Sequence, residues 1–347
     1  MTDDERSPAN DGPPPAGVAL PWQQATLREL HARRTRWPHA VLLHGPEGVG
    51  KRTLAHTLAR ALLCESPRAS GDACGECPSC RYAAAAQHPD LRIVEPVEVD
   101  DDEVKRVEWI VVDRIRDLNA WAAITSHRGR AKVALIVPAE RMNAAAANAL
   151  LKTLEEPPPD THFLLVAHQP GRLPATIASR CQRIVAPRPT GKEGRAWLQA
   201  QGVRDADSLL VQASFAPLRA LSLAEAGYQN ERRVWIDALA APQALSPTML
   251  GARIESAPRD VRRDRLAAAI DWVGGWCADL ARVHAGASPL AHPARADALR
   301  ALSASVAPPA LFRYHRRLLR ERTLLSHPLS PRLVAEALLI DYRGLFT

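Results

Sequence analysis

The chain has 347 residues, 46% of them hydrophobic and 24% charged, with a net charge of +7. That is the make-up of a soluble globular protein of two or three domains at roughly 100–200 residues each, and no apolar run approaches the ~18–20 residues of a membrane span. The basic balance suits nucleic acid or an acidic protein surface without choosing between them.

The opening stretch, "MTDDERSPANDGPPPAG", is acidic and proline-rich. It lacks the basic start and apolar centre of a secretory signal. A disordered leader over residues 1–19 and a cytoplasmic protein are the expectation, and disulfides are then rare.

Strand-length apolar runs follow at 40–45 (AVLLHG), 91–96 (LRIVEP), 131–138 (AKVALIVP), 161–168 (THFLLVAH) and 183–187 (RIVAP). Several are apolar at consecutive positions, as strands covered on both faces of a parallel sheet are. Helical patterns lie between them, at 51–63 and at 144–156, the second stopped by three prolines from Pro157. This alternation predicts an α/β domain. After Pro187-Arg188-Pro189 no convincing strand appears, and helical patterns cover about 190–228 and 231–347. Apolar stripes are expected at Leu266, Ile270, Val273, Cys277 and Leu280, and at Leu333, Ala337 and Ile340.

The stretch "GPEGVGKRT", Gly45 to Thr53, sits between the first strand and a helix, where a phosphate loop belongs. Its glycines, Gly45 and Gly50 among them, free backbone N–H groups, and Lys51 can meet a phosphate. The pattern then needs Ser or Thr to hold Mg²⁺, and Arg52 stands there. Thr53 carries a hydroxyl but comes one residue late, a swing of about 100° on a helix. An Asp at the tip of a later strand should also hold Mg²⁺, yet "VALIV" runs into Val137-Pro138-Ala139. Glu140 beyond it reads as a solvated surface residue. With both metal-binding parts missing, intrinsic ATP hydrolysis is not expected, and phosphate binding by the loop alone would be weak.

Four of the six cysteines fall within 17 residues, Cys64-x₉-Cys74-x₂-Cys77-x₂-Cys80. Four thiolates can surround Zn²⁺ at about 2.3 Å, and a site closed by four sulfurs is structural, since no position stays open for water. Free thiols or disulfides are the competing reading.

"TIASRCQR" (176–183) carries Ser179-Arg180-Cys181. By itself Arg180 reads as a surface arginine or a structural salt bridge. Its functional reading is an arginine finger, a guanidinium lent to a neighbouring subunit's nucleotide.

Together the loop, the four-cysteine insertion, "NALLKTLEEPP" (148–158), Ser179-Arg180-Cys181 and the helical tail resemble the clamp loader of bacterial DNA polymerase III, of the AAA+ class. The resemblance covers about residues 20–347 and is densest over 40–190. It implies an AAA+ α/β domain with a parallel sheet at 20–188 carrying the zinc insertion at 64–80. A small helical lid at 189–230 and an all-α collar at 231–347 would follow. The departures at Arg52 and Val137-Pro138 point away from the motor subunits and toward the delta-prime class, which keeps the finger. The implied partners are the motor and delta subunits of a five-membered ring, with the sliding clamp and primed DNA reached through the complex and no membrane. Arg219 stands near the family's second nucleotide-sensing arginine, about one residue out of register. The basic stretch 311–322 is expected to mix a solvated face with an intersubunit contact. An active motor subunit of the same loader, and a zinc-dependent DNA-binding regulator, are the competing readings. The segment after Cys80 carries little charge, which disfavours the regulator.

Overall fold

A computed structural model describes residues 19–33, 37–96, 98–99, 105–106, 109–325 and 329–346. The expected leader thus lies outside the described residues except for Ala19. Five strands form one sheet: β1 (Ala40–His44), β2 (Leu91–Val94), β3 (Lys132–Ile136), β4 (Thr161–Ala167) and β5 (Gln182–Val185). Their order is β2-β3-β4-β1-β5 and every pairing is parallel. A two-stranded antiparallel pair, Glu98–Val99 with Lys105–Arg106, stands apart from it.

The helices in chain order are α1 (Gln24–Ala32), α2 (Lys51–Leu63), α3 (Pro78–Ala84), α4 (Val112–Ala123), α5 (Ala144–Glu155), α6 (Ala175–Ala178), α7 (Gly191–Ala200), α8 (Ala206–Gln212), α9 (Pro217–Leu223), α10 (Ala226–Ala240), α11 (Pro247–Glu255), α12 (Arg262–His284), α13 (Ala296–Ser305), α14 (Pro308–Thr323) and α15 (Pro331–Arg343). Contacts divide the chain into two compact units. One is the α/β part up to Ala200 with Phe215–Arg219, and the other is Gln201–Ser214 with Ala220 onward. Among the described residues no helix is long and apolar enough to cross a membrane.

In the α/β unit the three central strands are apolar on both faces because both faces are covered. Val41, Leu43, Val133, Leu135, Leu164 and Val166 pack with Leu54 and Leu58 of α2. Leu42, Ala134, Ile136, Phe163 and Leu165 pack with Ile115 and Leu118 of α4 and Leu150 and Leu154 of α5. The edge strands depart from the expected two-sided burial. Ile93 of β2 and Val185 of β5 are 38% and 67% exposed, since each edge has only one strand neighbour. Helix α5 starts where the Asn143 side chain accepts the Ala146 N–H at 2.8 Å, an N-cap that frees it from relying on propensity alone. Lys132, at the start of β3, is buried. Its ammonium donates to the carbonyls of Trp121 and Ile124 at the C-terminal end of α4, where the helix dipole favours a cation.

The main core of the helical unit is tied across three helices by two aromatic residues. Trp276 of α12 donates to the Tyr342 hydroxyl of α15 at 2.8 Å, which in turn donates to the Leu239 carbonyl of α10 at 2.8 Å. These buried polar tips are thereby satisfied. The expected stripe on α12 is buried: Leu266, Ile270, Val273, Cys277 and Leu280 all lie in the core. The expected stripe on α15 is not. Leu333 and Ile340 are 63% and 51% exposed, and Ala335, Leu338, Leu339 and Tyr342 are buried in their place. The basic stretch lies on α14, which buries Leu311, Tyr314 and Leu318. On it Arg317 pairs with Asp341 and Arg322 with Asp271.

Candidate nucleotide loop, metal-binding cysteines and arginine finger

The loop leaves β1 at Gly45, whose N–H donates to the Ala167 carbonyl at the end of β4, and enters α2 at Lys51. Gly50 has φ +90°, which side chains rarely adopt, and a Cβ there would come 2.2 Å from Leu20 Cδ1 and force that side chain to move. The residues before α1 close over this turn. Trp22 Nε1 donates to the Val49 carbonyl at 2.9 Å, and Gln23 Nε2 donates to the Gly50 carbonyl at 2.6 Å. Leu218 donates its N–H to the Gly48 carbonyl at 3.0 Å, which sets the backbone of neighbouring Arg219 against the loop.

Lys51 is fully buried and its ammonium donates to the Pro46 carbonyl within the loop. Arg52, at the position that would bind Mg²⁺, pairs with Glu95 just after β2 at 2.7 Å. Thr53 is 1% exposed on α2. At the tip of β3, Val137 is apolar and 5% exposed. Glu140 is not the solvated residue its charge suggests. It is 9% exposed, and its Oε1 accepts the N–H groups of His168 and Gln169 at 2.8 and 2.9 Å, fixing the exit of β4.

Two histidines near this loop are held neutral. Burial, with the charges of Arg52 and Arg60, lowers His56 to about 4. Burial, with Lys51 and Arg141, lowers His168 to about 3. In the unfolded chain both return to their ordinary value near 6.5, so between about pH 4 and 6.5 the unfolded state binds more protons. Stability of the α/β unit therefore falls as pH drops below 6.5. Denaturant midpoints at pH 7.5 and 5.5 are expected to show this, and substituting His56 by Gln should shrink the difference.

The four cysteines converge. Cys64 ends α2, Cys74 and Cys77 lie in the following turn, and Cys80 lies in α3, whose N-cap is Cys77. Their sulfurs all lie within 4.8 Å of one another, able to hold a metal ion, and none forms a disulfide. The pairs Cys64–Cys77 and Cys74–Cys80 are 3.9 and 3.8 Å apart. A tetrahedral ion with sulfurs at ~2.3 Å has edges of about 3.8 Å. Backbone N–H groups of Glu76 and Cys77 donate to Cys74 Sγ and lower that thiol to about 6. Burial pushes Cys80 the other way, up to about 12. The insertion is pinned to the domain: His31 Nε2 meets Asp72 at 3.2 Å. Gly71 packs so close to His31 that a Cβ would lie 2.5 Å away. Glu65 accepts from both Ser79 and Arg128.

Ser179-Arg180-Cys181 follows α6. Cys181 is buried in the core and Ser179 Oγ donates to the Thr176 carbonyl at 3.0 Å. The Arg180 side chain is 35% exposed. Its Nη1 donates to the Thr176 carbonyl at 3.0 Å and its Nη2 pairs with Glu155, so its bonds do not reach the loop. Thus the cysteines form one cluster, the loop residues a second, and Arg180 a third. Sequence reasoning missed Glu95, Gln23, Glu155 and the burial of Glu140, because each acts through a partner distant in sequence.

A family model described as DNA polymerase III, delta subunit matches residues 22–189. The DNA polymerase III subunit delta' of Pseudomonas aeruginosa is 44% identical over 217 residues, 61% of this chain and 63% of that protein. The Escherichia coli K12 subunit of the same name is 33% identical over 225 residues, 63% of this chain and 65% of that one. The Escherichia coli subunit tau is 40% identical over 143 residues, but these are 41% of this chain and 20% of tau. The chain therefore spans just under two-thirds of the length of these two delta' proteins. The family model's residues 22–189 take in the four-cysteine insertion and the Ser-Arg-Cys turn, and over the matched part the chain is similar to the delta' subunits of DNA polymerase III.

Proposed function

We propose that the chain is a non-hydrolysing delta-prime subunit of a DNA polymerase III clamp loader. It counts as part of a DNA-directed DNA polymerase through the complex rather than through chemistry of its own. The observation that carries this is the Arg52–Glu95 ion pair, which occupies the position of the Mg²⁺-binding hydroxyl. With Val137 at the strand tip, neither protein ligand for Mg²⁺ is supplied, and phosphoryl transfer depends on that ion. In this reading Arg180 completes a motor subunit's ATP site. Its planar guanidinium would stabilise charge spreading over the transferring phosphoryl group. Residues 189–230 serve as a lid and 231–347 as the collar of a five-subunit ring. The sliding clamp and primed DNA are reached through that ring, in the cytoplasm. The four sulfurs suit Zn²⁺, which on binding would cross-link the insertion as a structural ion.

The isolated chain should show no ATP turnover above background with Mg²⁺ and primed DNA, measured by phosphate release. It should also co-purify with the motor and delta subunits. Robust turnover that Lys51→Ala abolishes would instead favour the motor reading, to which the match with tau lends support.

A further inference from the structure

The two stretches that single this chain out, 148–158 and 176–183, meet at one contact. Glu155 is the last residue of α5, and its carboxylate pairs with Nη2 of Arg180. A carboxylate at a helix C-terminus faces the negative end of the dipole, so α5 alone gives no reason for it. Glu156 and Pro157 follow, so the helix ends there and Glu155 is carried on its rigid last turn. The Thr176 carbonyl takes Nη1 from the other side at 3.0 Å. A guanidinium has five N–H donors in a fixed fork. Ser179 Oγ also lies 3.5 Å from Nη1, so these acceptors hold the two terminal nitrogens and leave Nε–H turned to none of them. The side chains of the pair are 35% and 49% exposed, where an ion pair adds little stability.

We propose that Glu155 is a positioning residue for Arg180. Together with the Thr176 carbonyl it clamps a long side chain into one rotamer, so that the guanidinium is ordered before a nucleotide arrives. This rests on the finger reading of Arg180. Pre-ordering of a donor acts on the transition state and so on kcat more than on KM.

The test is steady-state ATPase of the reconstituted, primed-DNA-stimulated complex containing Glu155→Ala, Glu155→Gln, Arg180→Ala or Glu155→Ala with Arg180→Ala. Glu155→Ala should lower kcat with KM for ATP unchanged, by less than Arg180→Ala does. Glu155→Gln should fall between Glu155→Ala and wild type, because its amide oxygen still accepts a hydrogen bond; it also stands in should the alanine variant fail to fold. The double variant should be no slower than Arg180→Ala alone. Wild-type kcat in both Glu155 variants beside a slow Arg180→Ala complex would overturn the role of Glu155 and leave the finger standing. So would losses that multiply in the double variant. An Arg180→Ala complex at full rate would overturn both.

Discussion

Replacing Cys77 by Ser is expected to abolish metal binding by the purified protein and unfold the insertion. The wild-type chain should carry close to one equivalent of zinc by elemental analysis, and the variant almost none. Cys77 has two roles in the fold. Its sulfur lies 3.9 Å from Cys64, and it accepts the Cys80 N–H as the N-cap of α3. Structural zinc is worth about 10–16 kcal/mol in isolated finger peptides at pH 7. Even a modest part of that, several kcal/mol, is comparable with the whole stability of a domain. The insertion spans the end of α2 and the start of α3 and is tied to His31 and Arg128. Its loss should therefore lower the melting temperature of the α/β unit as well as expose 64–80 to protease. A fully folded, metal-free wild-type preparation would contradict the assignment.

Much of the α/β unit is legible in the sequence because its signals are local. Five apolar runs become five parallel strands, and the helix read at 51–63 is observed as Lys51–Leu63. The cysteine cluster is equally local, since short spacings leave few ways to arrange four thiols. What could not be read depends on partners far apart in the chain. Glu140 looks like any surface acid until β4 brings two N–H groups to it. Arg52 looks like a simple loss until Glu95 is seen to fill the gap electrostatically. The α15 stripe failed for another reason. A helix carrying apolar residues on more than one face offers several candidate stripes, and the packing of α11 and α12 selected Leu338, Leu339 and Tyr342 rather than Leu333 and Ile340. Arg180 was legible as a residue type, but its two anchors were not.

Arg180→Ala carries the largest expected effect on function and bears on the central claim, that this chain completes a neighbour's ATP site. Arginine fingers are worth about 10³–10⁵ in rate at the site they serve. In the proposed ring only one of several sites would lose its finger, so total turnover should fall toward the rate the remaining sites sustain. Clamp loading, which needs the ring to act together, should fall with it. The variant itself should be sound. It gives up an exposed pair with Glu155 and a bond to Thr176, worth less than about 1 kcal/mol at such exposure. The buried neighbour Cys181 still anchors the turn. Arg180→Lys should restore little, because an ammonium lacks the planar two-pronged donor geometry.

The measurement that decides is thermal stability of the isolated Arg180→Ala chain set beside primed-DNA-stimulated ATPase of the complex rebuilt with it. The account predicts an unchanged melting temperature, retained zinc, normal assembly and a large loss of turnover. A destabilised chain whose complex hydrolyses ATP at the wild-type rate would show that Arg180 only braces its own domain, and would contradict the claim.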